Sequence, residues 1–269
     1  MSESTVLYDV SSARVATITL NRPAQLNAIS AAMAEALGAA LDRAASDDAV
    51  GCVAIVGAGR GFCAGGDLDM IAKCDRAASL SIDELDAQIA ARAIMHARIP
   101  LRLYELDKPT VAILNGAAAG AGFSLALACD LRVASVAAKL TTGFARVGRS
   151  GDFGGTYFLT RLVGPSRSRE LYFTSEVLLA DRAFKMGIVD HVYPADDVLR
   201  EGTALAERIA AGPPHALARM KQAFRVAEQG DLRRLLDVEA RLQTLSGMSS
   251  EGEEFLSRFR AAKRTQSLP

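Results

Sequence analysis

Tryptophan is absent from this chain, histidine occurs 3 times and cysteine 4 times in 269 residues. Without tryptophan, an aromatic cage or a stacking platform would rest on 5 Tyr and 10 Phe, which argues against either. Cys52, Cys63, Cys74 and Cys129 lack the paired spacing of a metal site, and His96, His191 and His215 are scattered. No metal centre is expected. Net charge is missing too, because 31 basic residues balance 31 acidic ones. Such a chain does not hold nucleic acid through bulk charge, although a local basic patch for an anionic cofactor is compatible with it. No apolar run is long enough to cross a bilayer, and Met1-Ser2-Glu3-Ser4 carries neither the basic nor the apolar region of a signal peptide. A cytoplasmic, reduced protein without membrane contact is the expectation.

The chain is alanine-rich and half apolar, long enough for one large core or one core with an appendage. Its centre is the stretch from Pro109 to Asp130. Thr110 to Leu114 reads as a buried strand, Asn115-Gly116 breaks it, and small residues with Gly120 and Gly122 lead into a helical run from Phe123 to Cys129. Small residues let a helix start approach a ligand closely, and its first amides lack intrahelical partners. A tightly packed strand–helix joint is the plainer reading. A second stretch, Gly51 to Asp69, repeats half of this pattern: a strand at Val53 to Val56, then Gly57, Gly59 and Gly61, then Gly65-Gly66-Asp67. Two such units would each aim one backbone N–H at a common oxygen.

Combined, these stretches resemble the crotonase family, also called the enoyl-CoA hydratase/isomerase family. Asn21-Arg22-Pro23 with Asn27-Ala28 matches its N-terminal motif, and Phe62-Cys63-Ala64-Gly65-Gly66-Asp67 its first oxyanion loop. Lys108-Pro109 through Asn115-Gly116 and Cys129-Asp130 match the second; Gly154-Gly155-Thr156 and Leu162-Val163-Gly164 fit the family's next segment. The resemblance covers most of the chain. It implies an α/β fold, the ββα spiral core shared by ClpP-like and crotonase-like proteins, over residues 1–196. A helical C-terminal region, 197–269, would cover the site and form a homotrimer, or a hexamer as a dimer of trimers.

In chain order, 5–10 and 14–20 read as a hairpin, and Ser30 as the N-cap of a helix to about Ala45 that buries Met33, Leu37 and Leu41. Leu68 to Lys73 reads as a short helix. Leu85 to Leu106 reads as a long helix kinked near Pro100, since a mid-helix proline costs about 3 kcal/mol. A strand at 131–134, helices at 156–162, 167–174 and 180–187, and a strand at 188–192 come next. Four helices complete the chain: 197–211, 213–229, 231–245 and 251–263. The ridges Ala216/Met220/Phe224 and Leu232/Leu235/Leu236 need partners, within the chain or across an interface.

The resemblance also implies site residues. The amides of Gly66 and Ala121 would hold the thioester oxygen of an acyl-CoA, with coenzyme A entering as part of the substrate and no prosthetic group. Arg22, Ala64 and Leu68, with Arg258 and Lys263 from the last helix, would hold the CoA end; Arg22 also reads as a plain strand cap. Met70, Ile71, Ser124 and Phe144 would line the acyl pocket, and Met70, Ile71, Ile89 and Met95 read equally well as core. The two glutamates of a family hydratase fall at Ser124 and Phe144, so ordinary two-glutamate hydration is disfavoured. Asp152 stands where family isomerases keep an aspartate, and one base suits a proton shift; capping a turn is its plainer role. Asp67 and Asp130 are expected to fix backbone, and Arg146 and Arg149 to flank Asp152. His96 lies outside every motif, and with Glu105 is a reserve candidate base.

Three functions are compatible with these residues: an acyl-CoA isomerase using Asp152, a hydratase with a displaced base, or a non-catalytic acyl-CoA binder. Asp152 also matches the nucleophile of family chlorobenzoyl-CoA dehalogenases, but no histidine base is evident beside it in the sequence.

Overall fold

The computed structural model describes residues 4–67 and 80–266. The expected helix from Leu68 to Lys73, and the site candidates Leu68, Met70 and Ile71, lie outside the described residues. The hairpin forms as expected, with β1 (Val6–Val10) antiparallel to β2 (Val15–Leu20). The chain then alternates between two sheets. Strand β3 (Cys52–Gly57) leads to β4 (Gly61–Cys63), β5 (Thr110–Leu114) to β6 (Ala117–Ala119), and β7 (Leu131–Ser135) to β8 (Lys139–Thr141). With β9 (Leu178–Leu179) and β10 (His191–Tyr193), the strands make a 6-stranded sheet, β1-β2-β3-β5-β7-β10, and a 4-stranded one, β4-β6-β8-β9. This is the expected spiral: each turn lays one strand in each sheet.

The larger sheet is apolar on both faces, as a mostly parallel sheet must be when both faces are covered. Side chains alternate along each strand. Val53, Ile55, Ala112 and Leu114 enter the main core, while Cys52, Ala54, Val111 and Ile113 face a second cluster. The helix α1 (Ala31–Ser46) covers the main core with Met33, Leu37 and Leu41, and the Ser30 hydroxyl accepts from Met33 N at 3.2 Å, as read from the sequence.

After α1, the helix α2 (Ile82–His96) passes through a wide π-helical turn, Ala97–Leu101, into α3 (Arg102–Glu105). Pro100 sits in that turn, where the regular ladder cannot use it as a donor. Among the described residues, the remaining α-helices of the first part are α4 (Ala121–Leu127), α5 (Gly155–Val163), α6 (Pro165–Thr174) and α7 (Ala180–Lys185).

Of the C-terminal helices, α8 (Val198–Ala210) belongs to the core itself. Its Val198, Ala206 and Ala210 supply the second layer under the larger sheet. The others, α9 (Pro214–Ala227), α10 (Leu232–Gly247) and α11 (Ser250–Gln266), stand further out. Pairing of α9 with α10 leaves Met220, Phe224, Leu232 and Leu236 exposed. Among the described residues no helix is long and apolar enough to cross a membrane.

Asn27 sets the first glycine loop. It is fully buried, with a positive φ of 58°. Its Nδ2 donates to the carbonyls of Ala58 (2.9 Å), Gly61 (2.9 Å) and Phe62 (3.2 Å), and its Oδ1 accepts from Arg22 N at 2.9 Å. Removing a side chain that satisfies several buried backbone groups leaves them desolvated, at about 1–3 kcal/mol each. Asn27→Ala should therefore lower stability by at least about 2 kcal/mol, read as a fall in the urea midpoint at unchanged slope.

Burial pushes the thiols of Cys52, Cys63 and Cys129 up to about 12 from their ordinary 9.0. These are inert packing groups. An unfolded chain releases those protons near pH 9 and the folded chain only near 12, so stability is full below pH 9 and falls as pH rises toward 12. Iodoacetamide at pH 8.5 should leave all three unmodified until denaturant is added, as peptide mass mapping would show.

Candidate active site

Two loops meet where β4 pairs with β6. Gly65 has a φ of 95°, and a Cβ there would stand 2.7 Å from the Ala119 carbonyl oxygen and 3.4 Å from the Ala121 nitrogen. Only glycine permits both the conformation and the approach. Ile29 N donates to Gly65 O at 2.7 Å, and Asp67 N to Ile29 O at 3.1 Å, which hold Gly66 between them. Arg22 Nη1 completes the clamp, reaching Asp67 Oδ2 at 2.8 Å and Ala28 O at 2.6 Å. Asp67 thus stabilises the turn, as expected. On the other side Ala121 opens α4, only 5% exposed.

These loops wall a cavity of about 380 Å³. Its lining includes Gly66, Ala64 and Ala121 together with Phe144, Asp152 and Arg92. The cavity therefore gathers three residues far apart in sequence, Gly66, Ala121 and Asp152. A cavity lined by two glycine-loop segments and one carboxylate suits polarising a carbonyl and moving a proton beside it.

Asp152 is well supported. Its side chain is 16% exposed. Oδ1 accepts from Phe153 N at 2.8 Å and lies against His96 Nε2, and Oδ2 pairs with Arg92 Nη1 at 3.1 Å. The His96 ring also meets the Phe153 ring edge-on, with centroids 5.7 Å apart. This carboxylate thus has a histidine against it, where the sequence made none evident. His96 and Arg92 are one helical turn apart on α2, which presents both to the same carboxylate. That i,i+4 spacing was the signal available, but nothing local says which loop the helix faces.

Behind the cavity wall, Phe144 stacks on Tyr172 with centroids 6.0 Å apart and planes 8° from parallel. Burial pushes the Tyr172 hydroxyl up to about 12; the Asp152 charge adds to this and the Ser124 hydroxyl opposes it. Tyr172 therefore stays neutral across the physiological range. Phe144 lines the cavity as expected, whereas Ser124 lies one layer back, donating to Gly120 O at 3.2 Å. A Cβ on Gly155 would overlap Ser124 Oγ and Tyr172 Oη, so glycine there lets α5 close on both.

The other candidates fall in different places. Arg149 lines the cavity, while Arg146 is exposed on the short Phe144–Val147 turn. Glu105 is exposed at the end of α3 and does not line it. Met95 does line it, and it also packs against the main core. Arg258 borders a separate groove with Arg14, Glu207 and Phe255, and pairs with Glu254. Lys263 is exposed on α11, its Nζ 5.0 Å from the Phe259 ring. Within one chain, neither α11 cation reaches the cavity. Asp130 fixes backbone, as read: its Oδ2 accepts from Thr110 N at 2.7 Å and from Lys221 Nζ at 2.7 Å.

Comparison with known proteins agrees with this fold. The enoyl-CoA hydratase/isomerase family model matches residues 11–265. The 1,2-epoxyphenylacetyl-CoA isomerase of Escherichia coli K12 is 34% identical, over 94% of this chain and 94% of that protein. A 4-chlorobenzoyl coenzyme A dehalogenase of an Arthrobacter species is 33% identical, over 75% of this chain and 71% of that protein. The crystal structure of an enoyl-CoA hydratase from Mycobacterium smegmatis superposes with a TM-score of 0.85 at 30% identity, covering 97% of each chain. By its family match, its relatives and its spiral of paired strands, the chain belongs to the crotonase, or enoyl-CoA hydratase/isomerase, family.

Proposed function

We propose that this protein is an acyl-CoA isomerase. The thioester oxygen sits against the amides of Gly66 and Ala121, and Asp152 removes a proton from one carbon and returns it to another. One observation carries this reading. Asp152 is the single lining carboxylate of the cavity among the described residues, and it shares that cavity with Gly66 and Ala121. The positions of the two hydratase glutamates hold Ser124 and Phe144, neither of which is an acid or a base near neutral pH. Negative charge grows on the thioester oxygen when the α-carbon is deprotonated, so two fixed amides favour the enolate over the ground state. Arg22 and Ala64 sit at the CoA end of this reading; Arg258 and Lys263 join only from a neighbouring copy.

Asp152→Asn removes the basic carboxylate and keeps the shape. General acid–base catalysis contributes about 10²–10⁴-fold, so kcat should fall by that factor while acyl-CoA affinity stays within a few-fold. A panel of enoyl-CoA thioesters, scored separately for double-bond migration, water addition and binding, provides the assay. Robust hydration of crotonyl-CoA, or full activity in the asparagine variant, would refute the reading. Binding of every thioester with turnover of none would make the protein an acyl-CoA binder instead.

His96 favours a second reading, in which Asp152 attacks an aromatic ring and His96 serves as the base, as in the dehalogenase resemblance. Halide release from 4-chlorobenzoyl-CoA separates it from isomerisation.

The exposed Met220, Phe224, Leu232 and Leu236 support assembly through the C-terminal helices. Sedimentation equilibrium should give a trimer or hexamer at micromolar concentration; a stable monomer would exclude it.

A further inference from the structure

A carboxylate has about four lone-pair sites, two on each oxygen. On Asp152, Oδ1 accepts from Phe153 N–H, and His96 Nε2 lies against the same oxygen as a charge contact. Oδ2 is shared with Arg92 Nη1 alone among the described partners, which leaves one lone pair for substrate. The terminal torsion of an aspartate is soft, so a carboxylate held through one oxygen swings about it. Contacts on both oxygens fix its plane.

The helix that delivers two of these contacts is unusual. None of the residues of α2 is buried, although Met95 packs partly against the core. The Arg92 side chain is 52% exposed and that of His96 36% exposed. Two side chains one turn apart nevertheless converge on one carboxylate that is itself only 16% exposed. Core packing does not account for this convergence, because α2 contributes no buried residue to the core.

We propose that Arg92 and His96 are positioning residues for Asp152, and that Oδ2 is the oxygen that exchanges the proton with substrate. The inference rests on Asp152 being the acid/base of the isomerase reading. In the forward step the C–H pair of electrons stays with the substrate as the enolate, and the proton bonds to Oδ2. In the second step the O–H bond breaks, the proton passes to a different carbon, and the carboxylate is restored. No other reactant enters. Arg92 and His96 touch neither the substrate carbon nor the thioester oxygen; they keep Oδ2 aimed.

The test uses four variants of the full-length protein: Arg92→Met, Arg92→Lys, His96→Leu and His96→Gln. Since α2 buries none of its residues, thermal midpoints should stay near wild type, which can be checked directly. Turnover is measured with the enoyl-CoA that wild type isomerises fastest, and affinity by calorimetry with butyryl-CoA, which cannot isomerise. A misaimed catalytic group costs up to about 10²-fold, so Arg92→Met and His96→Leu should each lower kcat by about 10- to 100-fold. KM and the butyryl-CoA Kd should change by less than about threefold. The conservative variants, which keep a donor, should recover most of the loss. Wild-type kcat in both apolar variants, with Asp152→Asn inactive, overturns the inference and leaves the isomerase reading standing. So does a rise in KM at constant kcat, which would make the pair substrate binders. Lysine and glutamine variants as impaired as the apolar ones overturn it as well. An active Asp152→Asn overturns both the inference and the reading beneath it.

Discussion

Backbone meets backbone where the first glycine loop crosses the second, and no side chain fits between them. Gly65 faces the Ala119 carbonyl, and Gly122 faces the Cys63 carbonyl so closely that a Cβ on it would overlap the oxygen. Interiors are packed at near-crystalline density, so one added methyl group at such a crossing would separate the smaller sheet along β4–β6. Much else depends on this crossing. Gly66 and Ala121 line the cavity beside it, and Asn27 satisfies the carbonyls of the turn that leads into it.

An ion pair with a buried lysine ties the C-terminal region to the same frame. Lys221 of α9, 8% exposed, reaches Asp130 Oδ2, which also accepts from both the amide and the hydroxyl of Thr110. Such a pair adds little net stability over apolar packing, and its loss weighs more on the buried Lys221 ammonium than on Asp130, which water still reaches. Its value here is registry: α9 is placed against the ends of β5 and β7, and the exposed faces of α9 and α10 are turned outward as a consequence.

Much of this was legible in the residues. Buried strands at 53–56 and 110–114, the Ser30 cap and the kink at Pro100 each carry a local physical signal, and each is found. The smaller sheet was not read as a sheet, because strands of two or three residues show no period. Nor was the role of α8 in the core separable from that of the helices after it, since an apolar helical face does not say which surface it covers. Of the cavity's lining, Gly66, Ala121 and Asp152 were recognisable from contiguous motifs. Arg92 and His96 were not, because their partner lies about sixty residues away on a loop whose direction no local rule determines. Arg258 and Lys263 were placed near coenzyme A by resemblance, and within one chain they stand elsewhere.

The exposure of α2 has an evolutionary meaning. Substitutions in a core are filtered first by stability, so a residue there rarely changes for the sake of chemistry alone. A helix that buries none of its residues escapes most of that filter. Its sequence can drift while the spiral beneath it stays intact. In this protein two of its side chains meet the cavity's carboxylate, so drift in α2 reaches that carboxylate directly. Relatives can keep one scaffold and diverge in reaction through the part of the chain the scaffold least constrains.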